Sequence, residues 1–266
     1  MRENKEVCMA TKLHGGPVYG PVHSRRLGLS LGINLLPTDG KICSFDCIYC
    51  ECGSDAERRT KSPFPTAARI GADLEPVLRD LDEQGQVLNS ITLAGNGEPT
   101  LNPEFAQIVD VVLRLRDELA PKAEVSVISN GTRAGDPAVH EALMRVDSNL
   151  FKLDTVDPDY IAFLDQPVAA YDVRRQIELA RSFEGHVTIQ TMFLRGTVDG
   201  RDVDNTGERY VGPWLDTIRE IGPEEVTVYT VARDTPTPGL EKAPAEVLDA
   251  IADRVRGLGI PCTVGY

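Results

Sequence analysis

The sequence predicts an α/β fold of parallel strands with helices packed outside them. Two observations carry this. Short apolar runs of strand length alternate with amphipathic helical stretches from about residue 29 to the end of the chain. Such alternation builds parallel strands joined by crossover helices. The composition also suits a packed domain, with 41 % hydrophobic and 26 % charged residues over 266 positions. That length is roughly two average domains or one large α/β unit, enough to bury a sizeable core.

Residues 1–28 are rich in Gly and Pro and are expected to form an irregular N-terminal extension to a domain spanning 29–266. Strands are expected at 29–36, 90–94, 124–129, 149–153, 187–192, 225–231 and 262–264. Helices are expected at 67–84, with Pro76 as an irregularity, and at 103–119, opened by Pro103. Further helices are expected at 136–146, 172–183, 213–221 and 243–258, and a polar loop at 200–207. About six strand–helix units result. That is more than a minimal doubly wound sheet and fewer than a closed (β/α)8 barrel. Alternation alone leaves an open sheet and a partial barrel both standing. In either, chemistry belongs at the C-terminal ends of the strands.

Composition narrows function. The 28 Lys and Arg against 41 Asp and Glu give a net charge of −13. This acidity argues against general nucleic-acid binding, whose affinity comes mainly from Lys and Arg on phosphates. Arg25-Arg26 and Arg58-Arg59 are the local exceptions. No window reaches the ~20 apolar residues of a membrane span. The opening MRENKEVCMA lacks an apolar signal core, so a cytoplasmic location is expected.

Four of the six cysteines fall within residues 43–52. In a chain of this kind they point to metal or redox chemistry rather than to a disulfide framework. Cys43-Ser44-Phe45-Asp46-Cys47-Ile48-Tyr49-Cys50 is a CxxxCxxC loop directly after the first strand. Closely spaced thiolates suit a soft metal or an iron–sulfur cluster. A closed zinc site needs four ligands, hence Cys52 as the fourth. One intervening residue makes joint chelation by Cys50 and Cys52 awkward, and no His is close in sequence. Three ligands would leave one iron of a [4Fe–4S] cluster open.

This loop, with an aromatic before its third cysteine and a repeated β/α chain behind it, resembles the radical S-adenosylmethionine (radical SAM) superfamily. The resemblance runs from about residue 29 to 235 and implies a partial (β/α)6 TIM-like barrel. It implies that Cys43, Cys47 and Cys50 hold three irons while the fourth binds S-adenosylmethionine (SAM), with Tyr49 near the adenine. Cys52 has no role in the pattern. The resemblance further implies reduction by ferredoxin or flavodoxin, then SAM cleavage to a 5′-deoxyadenosyl radical that abstracts hydrogen from a substrate. RNA-base modification and activation of a protein partner are its substrate alternatives. A binding or electron-transfer module holding a cluster or zinc is the rival from another class.

Gly95-Asn96-Gly97-Glu98 follows the second strand. It resembles the family's glycine-rich GGE-type motif, which contacts the SAM amino group, with Asn96 in place of Gly. Without the cysteine loop it reads as a tight turn before a helix. Ser129-Asn130-Gly131-Thr132 ends the third strand, as a ligand-holding turn or a plain Asn-Gly turn. Lys152 and Asp154 share one face of their strand, opposite Phe151 and Leu153. Two charges on a buried strand are expensive unless paired or used, so they are either a SAM, substrate or proton-relay pair or a structural ion pair. Gln190 is a candidate polar contact, with Met192 beside it as core. Arg233 either faces an anionic substrate or pairs with Asp234. Ser24-Arg25-Arg26-Leu27-Gly28, Gly32-Ile33-Asn34 and the cysteine loop are together similar to a small subgroup near the wyosine-base synthases, which modify a tRNA guanosine. Those enzymes use a second cluster with upstream cysteines, whereas here only Cys8 lies upstream.

Overall fold

The computed structural model describes residues 13–24, 28–54, 59–232, 235 and 237–266. Its main sheet has eight strands. They are β1 (Val18–Ser24), β2 (Gly28–Asn34), β3 (Ser90–Ala94), β4 (Glu124–Ser129), β5 (Ser148–Lys152), β6 (Thr188–Met192), β9 (Glu225–Tyr229) and β11 (Cys262–Gly265), in that spatial order. All pairings from β2 onward are parallel; β1 alone is antiparallel, on the edge beside β2. Helices α1 (Ala67–Glu83), α2 (Phe105–Leu119), α3 (Pro137–Leu143), α4 (Pro158–Leu164), α5 (Val173–Arg181), α6 (Glu208–Ile221) and α7 (Ala245–Arg256) form the crossovers. The result is a curled half-barrel of six strand–helix units closed by β11, the partial TIM-like barrel that the sequence suggested.

Alternation along each strand divides the two faces. Leu31 and Ile33, Ile91 and Leu93, Val125 and Val127, and Val226 and Val228 point to the helices and are fully buried. Each such side chain contributes roughly 1.5–3 kcal/mol of burial. The opposite face is hydroxylic. Ser30 and Thr92 hydroxyls lie 2.7 Å apart, and Ser90 bridges Thr92 at 3.1 Å and Ser126 at 3.0 Å. A cavity of about 400 Å³ lined by Ser90, Ser148, Thr227 and Thr263 opens at the strand N-termini, away from the motifs.

Several expectations need correction. Residues 18–24 are not irregular but form β1, whose Gly20-Pro21 step broke the apolar alternation. A register shift between Tyr19 and Val22 absorbs that step, as an edge strand allows. The Tyr19 ring packs over Gly32, where an added Cβ would lie 2.1 Å from it. Helix α6 begins at Glu208, so Pro213 sits inside it rather than at its start. Helix α4 was not expected at all, although Asp157 caps it by accepting from the Asp159 and Tyr160 amides, with Pro158 in the first turn. The expected loop at 200–207 contains β8 (Arg201–Asp202), which pairs with β7 (Leu194–Val198); β7 also pairs with β10 (Leu240–Lys242). No helix among the described residues is long and apolar enough to cross a membrane.

Candidate functional site

The C-terminal ends of β2 to β6 gather almost every sequence motif. The cysteine loop leaves β2 and crosses these ends, fastened on three sides. On the first side, Ile42 pairs with Gly97: its amide donates to the Asn96 carbonyl at 3.0 Å, and its carbonyl accepts from the Glu98 amide at 2.9 Å. Gly97 has φ +130, and a Cβ there would meet the Ile42 carbonyl oxygen at 1.9 Å. Gly95 has φ +127 and leaves room for Asn34. The two glycines therefore let backbone and Asn34 approach closely.

On the second side, Ser44 meets the turn after β4. Its hydroxyl lies 2.6 Å from Thr132 Oγ1 and accepts from Asn130 Nδ2 at 2.8 Å. Asn130 Nδ2 also points at Cys43 Sγ, 3.7 Å away. On the third side, the segment after α4 runs along the loop as a strap. The Asp46 and Ile48 amides donate to the Asp165 and Leu164 carbonyls at 3.1 and 2.9 Å, and Val168 returns a bond to the Ser44 carbonyl at 2.9 Å. Phe45 bridges to Pro167 and meets the Tyr171 ring edge-on.

Glu98 is buried at the centre of this arrangement. Its carboxylate accepts from the Thr100 amide and hydroxyl, from the Ser129 hydroxyl and from the Asn130 amide. Burial pushes its pKa up, and these four donors oppose that. Asn96 is fully buried, and its side chain is spent on backbone groups of His14 and Pro37. The departure from Gly at this position therefore anchors residues 14 and 37.

Lys152 and Asp154 do share one face, while Phe151 and Leu153 enter the core. The Lys152 ammonium donates to Asp154, to Asp165 at 2.7 Å and to the Tyr49 hydroxyl at 2.5 Å. Tyr49 in turn donates to Asp154, whose other oxygen accepts from the Met192 amide at 2.9 Å. Burial works against the Lys152 charge, but the two carboxylates override it and hold its pKa well above the ordinary range. One ammonium serves two carboxylates. Burial raises Asp165 to about 7, with Lys152 pulling down and Asp154 pushing up. Gln190 lies beside Lys152 in register on β6, buried. Met192 packs with Tyr49 and Tyr160 in a small apolar cluster. Arg233, Arg25, Arg26, Arg58 and Cys8 lie outside the described residues.

The thiols are close enough to influence one another. Burial lifts Cys43 to about 12 and Cys47 well above the usual thiol range, and each also feels Cys50. Thiolates so disfavoured need positive charge, such as iron, to persist. Among the described residues, no three His, Cys, Asp or Glu side chains converge on a single metal ion. Three thiols on one loop are soft donors of the kind that hold an iron–sulfur cluster.

The profile of the radical SAM superfamily matches residues 38–208, the span that holds the cysteine loop, the Gly95–Glu98 and Ser129–Thr132 turns, Lys152, Asp154 and Gln190. The chain belongs to the radical SAM superfamily. This radical SAM protein is 30 % identical over 227 residues to a UPF0026 protein of Synechocystis, covering 82 % of the chain and 77 % of the relative. It is 29 % identical over 230 residues to a Brachyspira hyodysenteriae protein named GTPase Obg, covering 85 % of the chain but 31 % of that protein. The sequence contains no GxxxxGK[ST] phosphate loop. Among solved structures, a radical SAM methyltransferase from Sphaerobacter thermophilus superposes with TM-score 0.64 at 18 % identity, over 88 % of this chain and 65 % of that one. TYW1 with a lysine–pyruvate adduct superposes with TM-score 0.58 at 13 % identity, over 86 % and 73 %. These two likenesses are likenesses of fold.

Sequence reasoning missed Lys41 and Asp165, and it quoted Asn34 and Ser44 within motifs without giving either a role of its own. A lone Lys beside a Gly and a lone Asp after an apolar stretch carry no pattern. Only the folded strap and loop bring Asp165 and Lys41 to the cysteines.

Proposed function

We propose that this protein is a radical SAM enzyme whose Cys43, Cys47 and Cys50 hold a [4Fe–4S] cluster. The observation that carries this reading is the seating of the CxxxCxxC loop on Gly95–Glu98 and on the Ser129–Thr132 turn. Three cysteines and two ligand-type turns thus share one end of the half-barrel. When bound, cluster and SAM supply reductive cleavage of the sulfonium to a 5′-deoxyadenosyl radical that takes hydrogen from substrate, with the electron coming from a ferredoxin- or flavodoxin-type donor.

The chain's own residues bind, orient and shield. Glu98 and Ser129 fix the relative height of the β3 and β4 ends. Asn130 sets Cys43 by pointing an amide N–H at its sulfur. Tyr49, Lys152 and Asp154 form a fixed polar wall beside Cys47, and Gln190 extends it on β6. This wall is the candidate contact for the polar end of SAM or for substrate. Backbone of Gly95–Gly97, rather than the Asn96 side chain, is the candidate contact for the SAM amino group. Net charge of −13 favours a small or protein substrate over tRNA.

The test is anaerobic reconstitution followed by dithionite reduction with SAM. Release of 5′-deoxyadenosine that disappears in Cys47→Ala is expected. A chain that takes up zinc, builds no cluster and leaves SAM unbound would overturn the reading.

A further inference from the structure

The Ser129–Thr132 turn reads as ligand-holding, yet the Asn130 side chain is committed to the cysteine loop. Asn130 is buried, and its backbone is held at both ends: the amide donates to Glu98 at 2.7 Å and the carbonyl accepts from Gln176 Nε2 at 3.1 Å. The side chain closes a ring of hydrogen bonds. Nδ2 donates to Ser44 Oγ at 2.8 Å, that hydroxyl lies 2.6 Å from Thr132 Oγ1, and Thr132 Oγ1 donates to Asn130 Oδ1 at 2.8 Å. The Thr132 backbone N–H also donates to Oδ1, at 3.1 Å. A backbone N–H can only donate, so it fixes which end of the amide is oxygen; the flipped amide would set donor against donor. An amide nitrogen carries two hydrogens, and the ring uses one. Nδ2 also faces Cys43 Sγ, 3.7 Å away, and the Phe45 amide approaches the same sulfur at 3.5 Å.

We infer that Asn130 is a positioning residue whose second amide hydrogen bonds the Cys43 sulfur and raises the reduction potential of the cluster held by Cys43, Cys47 and Cys50. The inference rests on the radical SAM reading above and deepens it, because it assigns this side chain to the cluster rather than to SAM. An electron entering the cluster leaves its sulfurs richer in negative charge. A donor N–H is drawn more strongly to the richer sulfur, so it favours the reduced state. Hydrogen bonds to the sulfurs are recognised levers on such potentials. The ring supplies what the lever needs, a donor that cannot turn away. The Phe45 donor belongs to the backbone and survives any side-chain change. Asn130 therefore controls part of the effect at Cys43 and not all of it.

Full-length wild type, Asn130→Leu, Asn130→Asp and Gln176→Met are reconstituted anaerobically. Iron and sulfide are counted, and the cluster is titrated potentiometrically by electron paramagnetic resonance. Asn130→Leu removes the donor and should lower the reduction equilibrium constant about tenfold, or ~59 mV for one electron. Asn130→Asp keeps an acceptor for the Thr132 N–H but turns a carboxylate oxygen toward the sulfur, and should lower it at least as far. Gln176→Met disturbs the turn only through the Asn130 carbonyl and should stay within about twofold of wild type. Wild type isotopically labelled at the side-chain nitrogen of asparagine should show coupling of that nitrogen to the reduced cluster in electron spin-echo spectra. If neither Asn130 variant loads a cluster, this coupling decides, and its absence overturns the inference. A loaded Asn130→Leu or Asn130→Asp protein at the wild-type potential overturns it as well, leaving the radical SAM reading intact. So does a Gln176→Met protein whose potential falls as far as that of Asn130→Leu. A wild-type chain that builds no cluster overturns both.

Discussion

The Glu98 carboxylate accepts the Asn130 backbone N–H at 2.7 Å, which ties the C-terminal end of β3 to that of β4. Three further donors from Thr100 and Ser129 fill the same carboxylate. A motif read from sequence as a ligand contact is thus first a clamp between strand ends. Glu98→Gln turns one acceptor into a donor facing occupied donors. It should cost about 1–3 kcal/mol, the usual result of leaving buried polar groups unsatisfied, and lower the urea midpoint. An unchanged midpoint would mean that the clamp carries no load.

Gly97 tests the loop seat. At φ +130, and with the Ile42 carbonyl oxygen 1.9 Å from where a Cβ would stand, Gly97→Ala meets both backbone strain and backbone collision. Gly85→Ala is the control: φ is +67 and nothing lies within 4 Å of the added carbon. The control should cost about 1 kcal/mol and spare metal loading. Gly97→Ala should cost more than that and reduce iron uptake, because Ile42 is displaced from its pairing. Equal stability and equal iron in both variants would remove Gly97 from the account.

The strands were legible because burial by helices imposes period-two apolar runs; β3 and β4 fall where Ser90 and Glu124 begin such runs. The motifs were legible because Cys, Gly and Glu spacing is local. What was not legible depends on distant partners. Lys152 and Asp154 could be assigned to one face, but the choice of Asp165 as a third member comes from the strap after α4. Strand β1 was hidden by its own Gly20-Pro21 step, and only Gly32, which receives the Tyr19 ring, explains its register. Asn96 was read as part of a cofactor-binding turn, and that its buried side chain answers to the His14 and Pro37 backbone is something no spacing rule reaches.

Cys52 tests the proposed three-cysteine cluster against a closed four-sulfur site. Its thiol points at the Gly95 carbonyl, 3.6 Å away, on the side of the glycine turn. Cys52→Ser should keep iron and sulfide at wild-type levels, while Cys47→Ala should lose most of both. Equal loss in the two variants would instead favour Cys52 as a fourth ligand, and with it a structural metal.

Asp165 makes the buried ammonium cluster visible to pH. Its pKa is raised to about 7 by burial, against an ordinary aspartate value near 3.9. Between those values the unfolded chain has released a proton that the folded chain keeps, so stability falls as pH rises. The contribution is complete below about pH 4 and is lost as pH rises through about 7. Lys152, held well above its ordinary range, stays charged throughout this window. Asp165→Asn keeps an acceptor for Lys152 but has nothing to titrate. The stability of wild type minus that of Asp165→Asn, measured by urea unfolding of the cluster-free chain, should therefore decline from pH 4 to 7. The slope is at most about 1.4 kcal/mol per pH unit, and it levels off above pH 7. A difference that instead rises with pH would mean that Lys152 keeps Asp165 ionised, and that the excess proton of the cluster sits elsewhere.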